Sequence, residues 1–482
     1  MNRLNRLSLY TSTVLNYTQL KYKQLLADVK EAIAGTEQDF TQGSMSRAIF
    51  LLSIPMVLEM LMESVFAVAD IYFVSRLGAD AIATVGITES LITVVYAIGV
   101  GLSMATTALV SRRIGEKNPK AAARAAFQSI LVGLAISLLI AIPGIIYASD
   151  LLRLMGASEK IYAEMWGYTA IMLGGNAVIM LLFIINAVFR SAGDAAISMR
   201  VLVFANGLNI VLDPILIFGW GPFQELGITG AAIATNTGRG LAVVYQFYLL
   251  FKGNKRVRLM LKDIAVHLGT IRQLIKLSAG GIGQYLIATS SWIGLVRIIS
   301  EFGSEALAGY TIAIRIIVFS LLPSWGISNA AATLVGQNLG AKQPNRAERS
   351  VWLVGRVNMI YMGLVSLALI LVPSVFVEMF IRESPVINSG SDSLRIISFG
   401  FILYGLGMVM VQALNGAGDT LTPTWINFFC FWLLEIPLAY LLALFLDFGE
   451  AGVYYAIVIS ESMMALVATW FFKKGKWKLK EV

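Results

Sequence analysis

The sequence predicts an all-α integral membrane protein, with twelve transmembrane helices in two homologous six-helix halves. Three observations carry that prediction. Of 482 residues, 57% are hydrophobic and 14% charged, against about 45–50% and about 25% in soluble chains. Apolar runs recur along the chain, each near the ~20 residues that cross ~30 Å of hydrocarbon as a helix. The chain also repeats itself. Val110-Ser-Arg-Arg-Ile-Gly-Glu-Lys-Asn-Pro119 returns as Val335-Gly-Gln-Asn-Leu-Gly-Ala-Lys-Gln-Pro344, at an offset of 225 (335 − 110). Arg190-Ser-Ala-Gly-Asp194 returns as Asn415-Gly-Ala-Gly-Asp419, and Leu77-Gly-Ala-Asp as Phe302-Gly-Ser-Glu, at the same offset. Duplicated membrane proteins of this kind usually hold a site near the bilayer midplane and work by rocking one half against the other.

In order, the first-half runs fall at 49–74, 84–110, 125–148, 165–189, 197–220 and 228–251, and the second-half runs at 271–299, 306–335, 351–378, 394–416, 422–446 and 451–472. Basic or Gly/Pro-marked breaks separate them. Arg112, Arg113, Lys117, Lys120 and Arg124 follow the second run, Lys252, Lys255, Arg256, Arg258 and Lys262 the sixth, and Lys473, Lys474, Lys476, Lys478 and Lys480 the twelfth. The Gly-Ala-Gly-Asp landmarks read as tight turns into the next helix. Acidic residues such as Asp80, Asp150, Glu301 and Asp447 mark the other connections. The positive-inside rule therefore places both termini and the even-numbered loops in the cytoplasm, and the net charge of +8 reflects topology rather than nucleic-acid binding. Three regions follow: a cytoplasmic extension over 1–44, an N-lobe over 45–255 and a C-lobe over 256–482. In the extension, Leu20, Leu25, Val29 and Ile33 are spaced as on an amphipathic helix.

Chemistry is constrained by what is scarce. The single cysteine, Cys430, excludes an intramolecular disulfide and a thiolate metal cluster, and the single histidine, His267, reads as a solvated loop residue. Neither a phosphate-cradling GxxxxGK[ST] loop nor a GxSxG elbow occurs, so an enzyme is not expected and an ion gradient is left as the energy source.

Acidic residues inside apolar segments need a reason, because a charge at the bilayer centre costs at least ~2.5–3.5 kcal/mol. At about 100° per residue, Glu59, Glu63 and Asp70 fall within about 40° on one stripe of the first run. Asn206, Asn209 and Asp213 lie within about 60° on the fifth. Pro214 frees the carbonyl of Ile210 near them, and Pro55 frees that of Leu51. Carboxylates, amide oxygens and freed carbonyls suit a small cation, and a desolvated carboxylate also suits a proton. Glu59 and Asp70 can alternatively be rim charges. Adding 225 to the three first-run acids gives Gln284, Ala288 and Leu295, so the ion site is expected in the first half alone. Glu435, beside Pro437, is either a reserve ligand or a structural carboxylate. Arg297 and Arg315 either snorkel outward or counter an acid.

With these residues in view, the chain resembles the multidrug and toxic compound extrusion (MATE) family over approximately 45–475. The likeness rests on Val68-Ala-Asp-Ile-Tyr-Phe-Val-Ser-Arg-Leu-Gly78, Asn186-Ala-Val-Phe-Arg-Ser-Ala-Gly-Asp194 and Asn209-Ile-Val-Leu-Asp-Pro214. The resemblance implies two six-helix lobes in a V and a secondary active antiporter, exporting amphiphilic and often cationic organic compounds in exchange for H+ or Na+. It makes Asp70, Asn186, Asn209, Asp213 and Thr235 the ion-coupling set, and Pro55 the proline at which the first helix bends. Some sodium-coupled members carry acids in the seventh and tenth helices; this chain has none there. Met62, Phe66, Tyr96, Met172, Met180 and Phe183 are candidate cavity linings, with packing as their other reading. No cofactor is expected beyond the coupling ion. The expected partners are small organic molecules and the bilayer, with a monomer in a bacterial inner membrane or its archaeal equivalent. A lipid-linked saccharide flippase is the alternative, and it would favour a cationic cavity where the charges of the first half read as acidic.

Overall fold

In the computed structural model, which describes residues 26–35, 39–252, 256–260 and 265–482, the chain is helical throughout its spans. The first half contains α1 (Met45–Ser75), α2 (Ala79–Gly115), α3 (Pro119–Ile146), α4 (Trp166–Ala192, interrupted at Gly175), α5 (Ala195–Phe218) and α6 (Gly227–Lys252). The second contains α7 (Leu268–Ile299), α8 (Ser304–Gly340), α9 (Pro344–Leu371), α10 (Ser384–Ser398 and Phe401–Gly416), α11 (Leu421–Phe445) and α12 (Glu450–Lys473). Ten of these are single helices long and apolar enough to cross a bilayer, and α10, bent by 57° at its break, makes an eleventh. The twelfth, α6, is 26 residues long, or ~39 Å at 1.5 Å per residue, and its apolar character is diluted by Thr235, Asn236, Thr237 and Arg239.

Two expected spans are redrawn. The ninth ends at Leu371 rather than 378, because Pro373 cannot continue the hydrogen-bonded ladder and instead starts a separate short helix, Pro373–Glu378. The tenth begins at Ser384, well before 394, and is broken around Phe399 and Gly400. Helical structure covers 26–34 of the N-terminal extension; Leu20 and Leu25 lie outside the described residues.

The duplication is written into the backbone. Gly78 and Gly303 have φ of 99° and 97°, Lys117 and Lys342 57° and 58°, and Gly193 and Gly418 97° and 87°. Each pair is 225 positions apart and sits in one of the three repeated landmarks, so the same left-handed turns join the same helices twice.

Contacts between the lobes obey the same symmetry. A Cβ on Gly115 (α2) would meet the Gln337 carbonyl oxygen at 1.9 Å, and one on Gly340 (α8) the Arg112 carbonyl at 2.1 Å. Gly101 (α2) lies against Ser278 and Ile282 (α7), and its counterpart Gly326 (α8) against Met56 and Val57 (α1). Small residues let backbones approach closely within a membrane, where packing rather than water exclusion holds helices together. The lobes are therefore shut at the end carrying the basic connections.

The N-terminal parts of the leading helices are exchanged between the lobes. Met45, Ile49, Leu52 and Met56 of α1 are buried in a core with Ile327, Ala330 and Leu334 of α8 and Val354 of α9. Leu274 and Leu277 of α7, the repeat counterparts of Ile49 and Leu52, are buried in the first-half core. Segments just before α1 and after α12 strap across this closed end. Arg346 of α9 donates to the carbonyls of Phe40, Gln42 and Gly43 (2.8–3.3 Å), while Gly35 lies against Asp194 and Ala196. After α12, Trp477 stacks on Phe472, Lys480 pairs with Asp419 at 3.2 Å, and Arg112 of α2 donates to the Lys480 carbonyl at 2.9 Å.

Candidate functional site

The acidic stripe of α1 faces the interior of the first half, and the structure divides its partners into two groups. Deeper toward the closed end, Glu59 is 2% exposed and pairs with Arg190 of α4 at 2.7 Å. Asn186, one turn earlier on α4, donates to the same Glu59 oxygen at 3.2 Å and accepts from Gln246 of α6 at 2.6 Å. One turn along α1, Glu63 lies 3.6 Å from Arg239 of α6, whose guanidinium also covers the Phe66 ring at 4.8 Å. Phe66 thus serves as a cation–π floor for Arg239.

The second group lies farther from the closed end. Asp213 of α5 is completely buried, with Asn209 donating to its Oδ1 at 3.3 Å and to the Thr235 hydroxyl of α6 at 3.2 Å. Asp213 Oδ2 and Asn209 Oδ1 have no hydrogen-bond partner. Asp70 of α1 faces the same region, within electrostatic range of Asp213 and Arg239. Asn206, the third polar residue of the α5 stripe, donates to the Met62 carbonyl at 3.1 Å and ties α5 to α1. The proline geometry supports the cluster: Pro214 lies inside α5, where its missing N–H leaves the Ile210 carbonyl without its helical donor. The expected five-residue set is therefore four residues around Asp213 plus Asn186, which belongs with Glu59.

Between the lobes lies a cavity lined from the first half by Glu59, Glu63, Tyr96, Phe183, Asn186, Arg190 and Arg239, and from the second by Tyr285, Trp325, Asn329, Gln412 and Asn415. Tyr96 and Phe183 meet edge to face at 6.0 Å. Met180 and Met172 lie elsewhere, 0% and 8% exposed in the first-half core, because their faces of α4 turn toward neighbouring helices. Met62 is half-buried and off the wall; Met60 and Met104 supply the thioethers instead. The charges of this cavity are also corrected. They are two acid–base pairs rather than acids alone, since Arg190 and Arg239 line it too.

The repeat carries a signal for Arg190. Glu59 and Arg190 each move by 225 onto Gln284 and Asn415, and these two bond reciprocally, at 3.0 and 3.1 Å. The second half keeps the contact and discards the charge. Glu435 is buried in α11 and accepts from Ser291 at 2.6 Å. Arg297 pairs with Glu301 at the surface, and Arg315 lies within range of Glu89.

Comparison with known proteins agrees with this architecture. The MatE family profile matches twice, over residues 55–215 and 282–441, one match in each half. The chain is 26% identical over 444 residues to the probable multidrug resistance protein NorM of Thermotoga maritima, covering 90% of this chain and 94% of that protein. It is 25% identical to the FAD transporter of Shewanella oneidensis, covering 87% and 92%. A crystal structure of a MATE protein in complex with MaL6 superposes with a TM-score of 0.86 at 25% identity, covering 92% and 99%. The duplicated helices, the lobes joined at one end and the doubled profile converge: this chain belongs to the MatE family of multidrug and toxic compound extrusion transporters.

Proposed function

We propose that this protein is a secondary active multidrug efflux transporter that exports amphiphilic organic compounds in exchange for H+ or Na+ by alternating access. The ion is held in the N-lobe by Asp70, Asn209, Asp213 and Thr235, and the cargo occupies the cavity between the lobes. One observation carries this reading: Asp213 is fully buried in an apolar lobe with a single amide donor and one oxygen unpartnered, opposite a second carboxylate. Two acids in that setting demand a positive charge. Binding the ion lowers their combined charge by one, which changes the packing of α1 and α5 and biases the lobes toward one of two arrangements. With the basic connections in the cytoplasm, the closed end faces inward and the cavity is ready to release outward.

Relatives named as multidrug resistance proteins support the cargo class. The paired charges of the cavity extend it to compounds bearing both signs, because either member of each pair can meet a ligand. A second reading, cargo with an anionic headgroup, is favoured by Arg190 and Arg239 and by the relative named as an FAD transporter.

The test is reconstitution in liposomes with a fluorescent organic cation, under an imposed pH gradient or an imposed sodium gradient. Transport driven by one gradient and lost in both Asp70→Asn and Asp213→Asn is the expected result. Wild-type transport in both variants would overturn the site assignment, and gradient-independent transport would overturn the antiport.

A further inference from the structure

The N-lobe ion cluster lies on α5 and α6, and the repeat places α11 and α12 as their counterparts. The repeat carries Thr235 onto Ser460. Pro214 of α5 has an analogue in Pro437 of α11, and the turns before it, Phe428–Glu435, are wound as π-helix. None of the α5 acids or amides survives at the 225 offset, yet the C-lobe pair of helices holds two buried acids of its own.

Glu435 is 2% exposed and lies near the middle of α11; Glu461 is 9% exposed and lies near the middle of α12. Each is ~15–20 Å from either end of its helix at 1.5 Å per residue. They are within electrostatic range of each other, and Tyr310 of α8 and Tyr404 of α10 lie within that range of both. Cys430, about one turn before Glu435, lies within electrostatic range of it. Among the described residues, no arginine or lysine pairs with either glutamate. Ser291 of α7 donates to Glu435 Oε2 at 2.6 Å, whereas Glu461 Oε2 and the Ser460 hydroxyl have no partner at all.

Two ionised carboxylates buried midway along neighbouring spans, without a basic partner among the described residues, would have nothing to offset their desolvation. A proton bound to a carboxyl removes its charge and with it that penalty. Three or more acidic, histidine or cysteine ligands grouped for a metal ion do not occur among the described residues, so a proton fits the donor set better than a multivalent cation. We propose that Glu435 and Glu461 form a proton-binding site in the C-lobe, the repeat's counterpart of the N-lobe ion site rebuilt with different residues. A proton enters from water onto one carboxylate and leaves by the same step reversed.

The experiment is a potentiometric titration of the full-length protein, with infrared difference spectra on acidification, in the Asp70→Asn/Asp213→Asn background. That background makes the readout independent of whether the N-lobe acids couple transport. Adding Glu435→Gln or Glu461→Gln is expected to remove one proton of uptake per chain together with a protonated-carboxyl stretching band. Unchanged uptake and an unchanged band in both variants would overturn the proposal. So would a band that disappears on adding Na+ or K+ at constant pH, which would assign the pair to a monovalent cation. Thermal unfolding of each variant checks that it is folded; should one glutamine variant fail to fold, the other carries the test.

Discussion

At the scale of single residues, the cavity wall sets a charged pair in one lobe against its neutral copy in the other. Removing one partner of a buried ion pair leaves the other uncompensated and costs about 3–5 kcal/mol, whereas replacing both can be neutral. Arg190→Ala is therefore expected to lower the thermal unfolding midpoint sharply. The double change Glu59→Gln/Arg190→Asn, which copies Gln284 and Asn415, should recover most of the loss in the same melt. The stripe of Glu59, Glu63 and Asp70 was legible in the sequence because helical spacing alone puts three acids on one face. Arg190 was visible inside a repeated landmark but read as part of a turn. Arg239 stands in a helix rich in small and polar residues, where nothing in the sequence marks its pairing with Glu63 across to α1. Met172 and Met180 have the chemistry of a cavity lining, but only tertiary packing shows which face of α4 they occupy.

At the scale of elements, apolar periodicity and breaks delivered the spans, while prolines decided how they end or bend. Pro55 lies within a continuous α1, at the point where the helix passes from the core it shares with α8 to the cavity. Pro55→Ala restores an N–H for the Leu51 carbonyl and stiffens that point. Under the antiport reading, the expected outcome is slower turnover with substrate affinity retained, measured by transport rates beside equilibrium binding. The glycines of α2 and α8 make a second case. A side chain at Gly115 or Gly340 has no room against the opposing carbonyl, so Gly115→Val should force the closed end apart. Spin labels on α2 and α8 would report a longer distance, with loss of gradient-driven transport. These approaches were not legible beforehand, because a glycine in an apolar run gives no sign of which helix comes near it.

At the scale of the whole molecule, the two halves are bound at one end by their helices and by straps that flank α1 and α12. Trp477 anchors the C-terminal strap in the second half, and Arg112 holds it from the first. Loosening it with Trp477→Ala is expected to shift the balance away from the closed arrangement, seen as faster proteolysis within the basic connections, while leaving the helical content by circular dichroism unchanged. The duplication itself was plain from the sequence, since three landmarks share one offset. The exchange of leading helices was not, because the offset relates the halves without saying which of them a helix packs against.

That exchange also bears on biosynthesis. The first half of α1 emerges from the ribosome long before α8 and α9, yet the core that buries Leu52 and Met56 includes both. The nascent chain must hold this segment in lipid, or against a chaperone or insertase, until the second half has been made. The first-half core is complete only once α7 has followed, and the second-half core incorporates a segment made long before it.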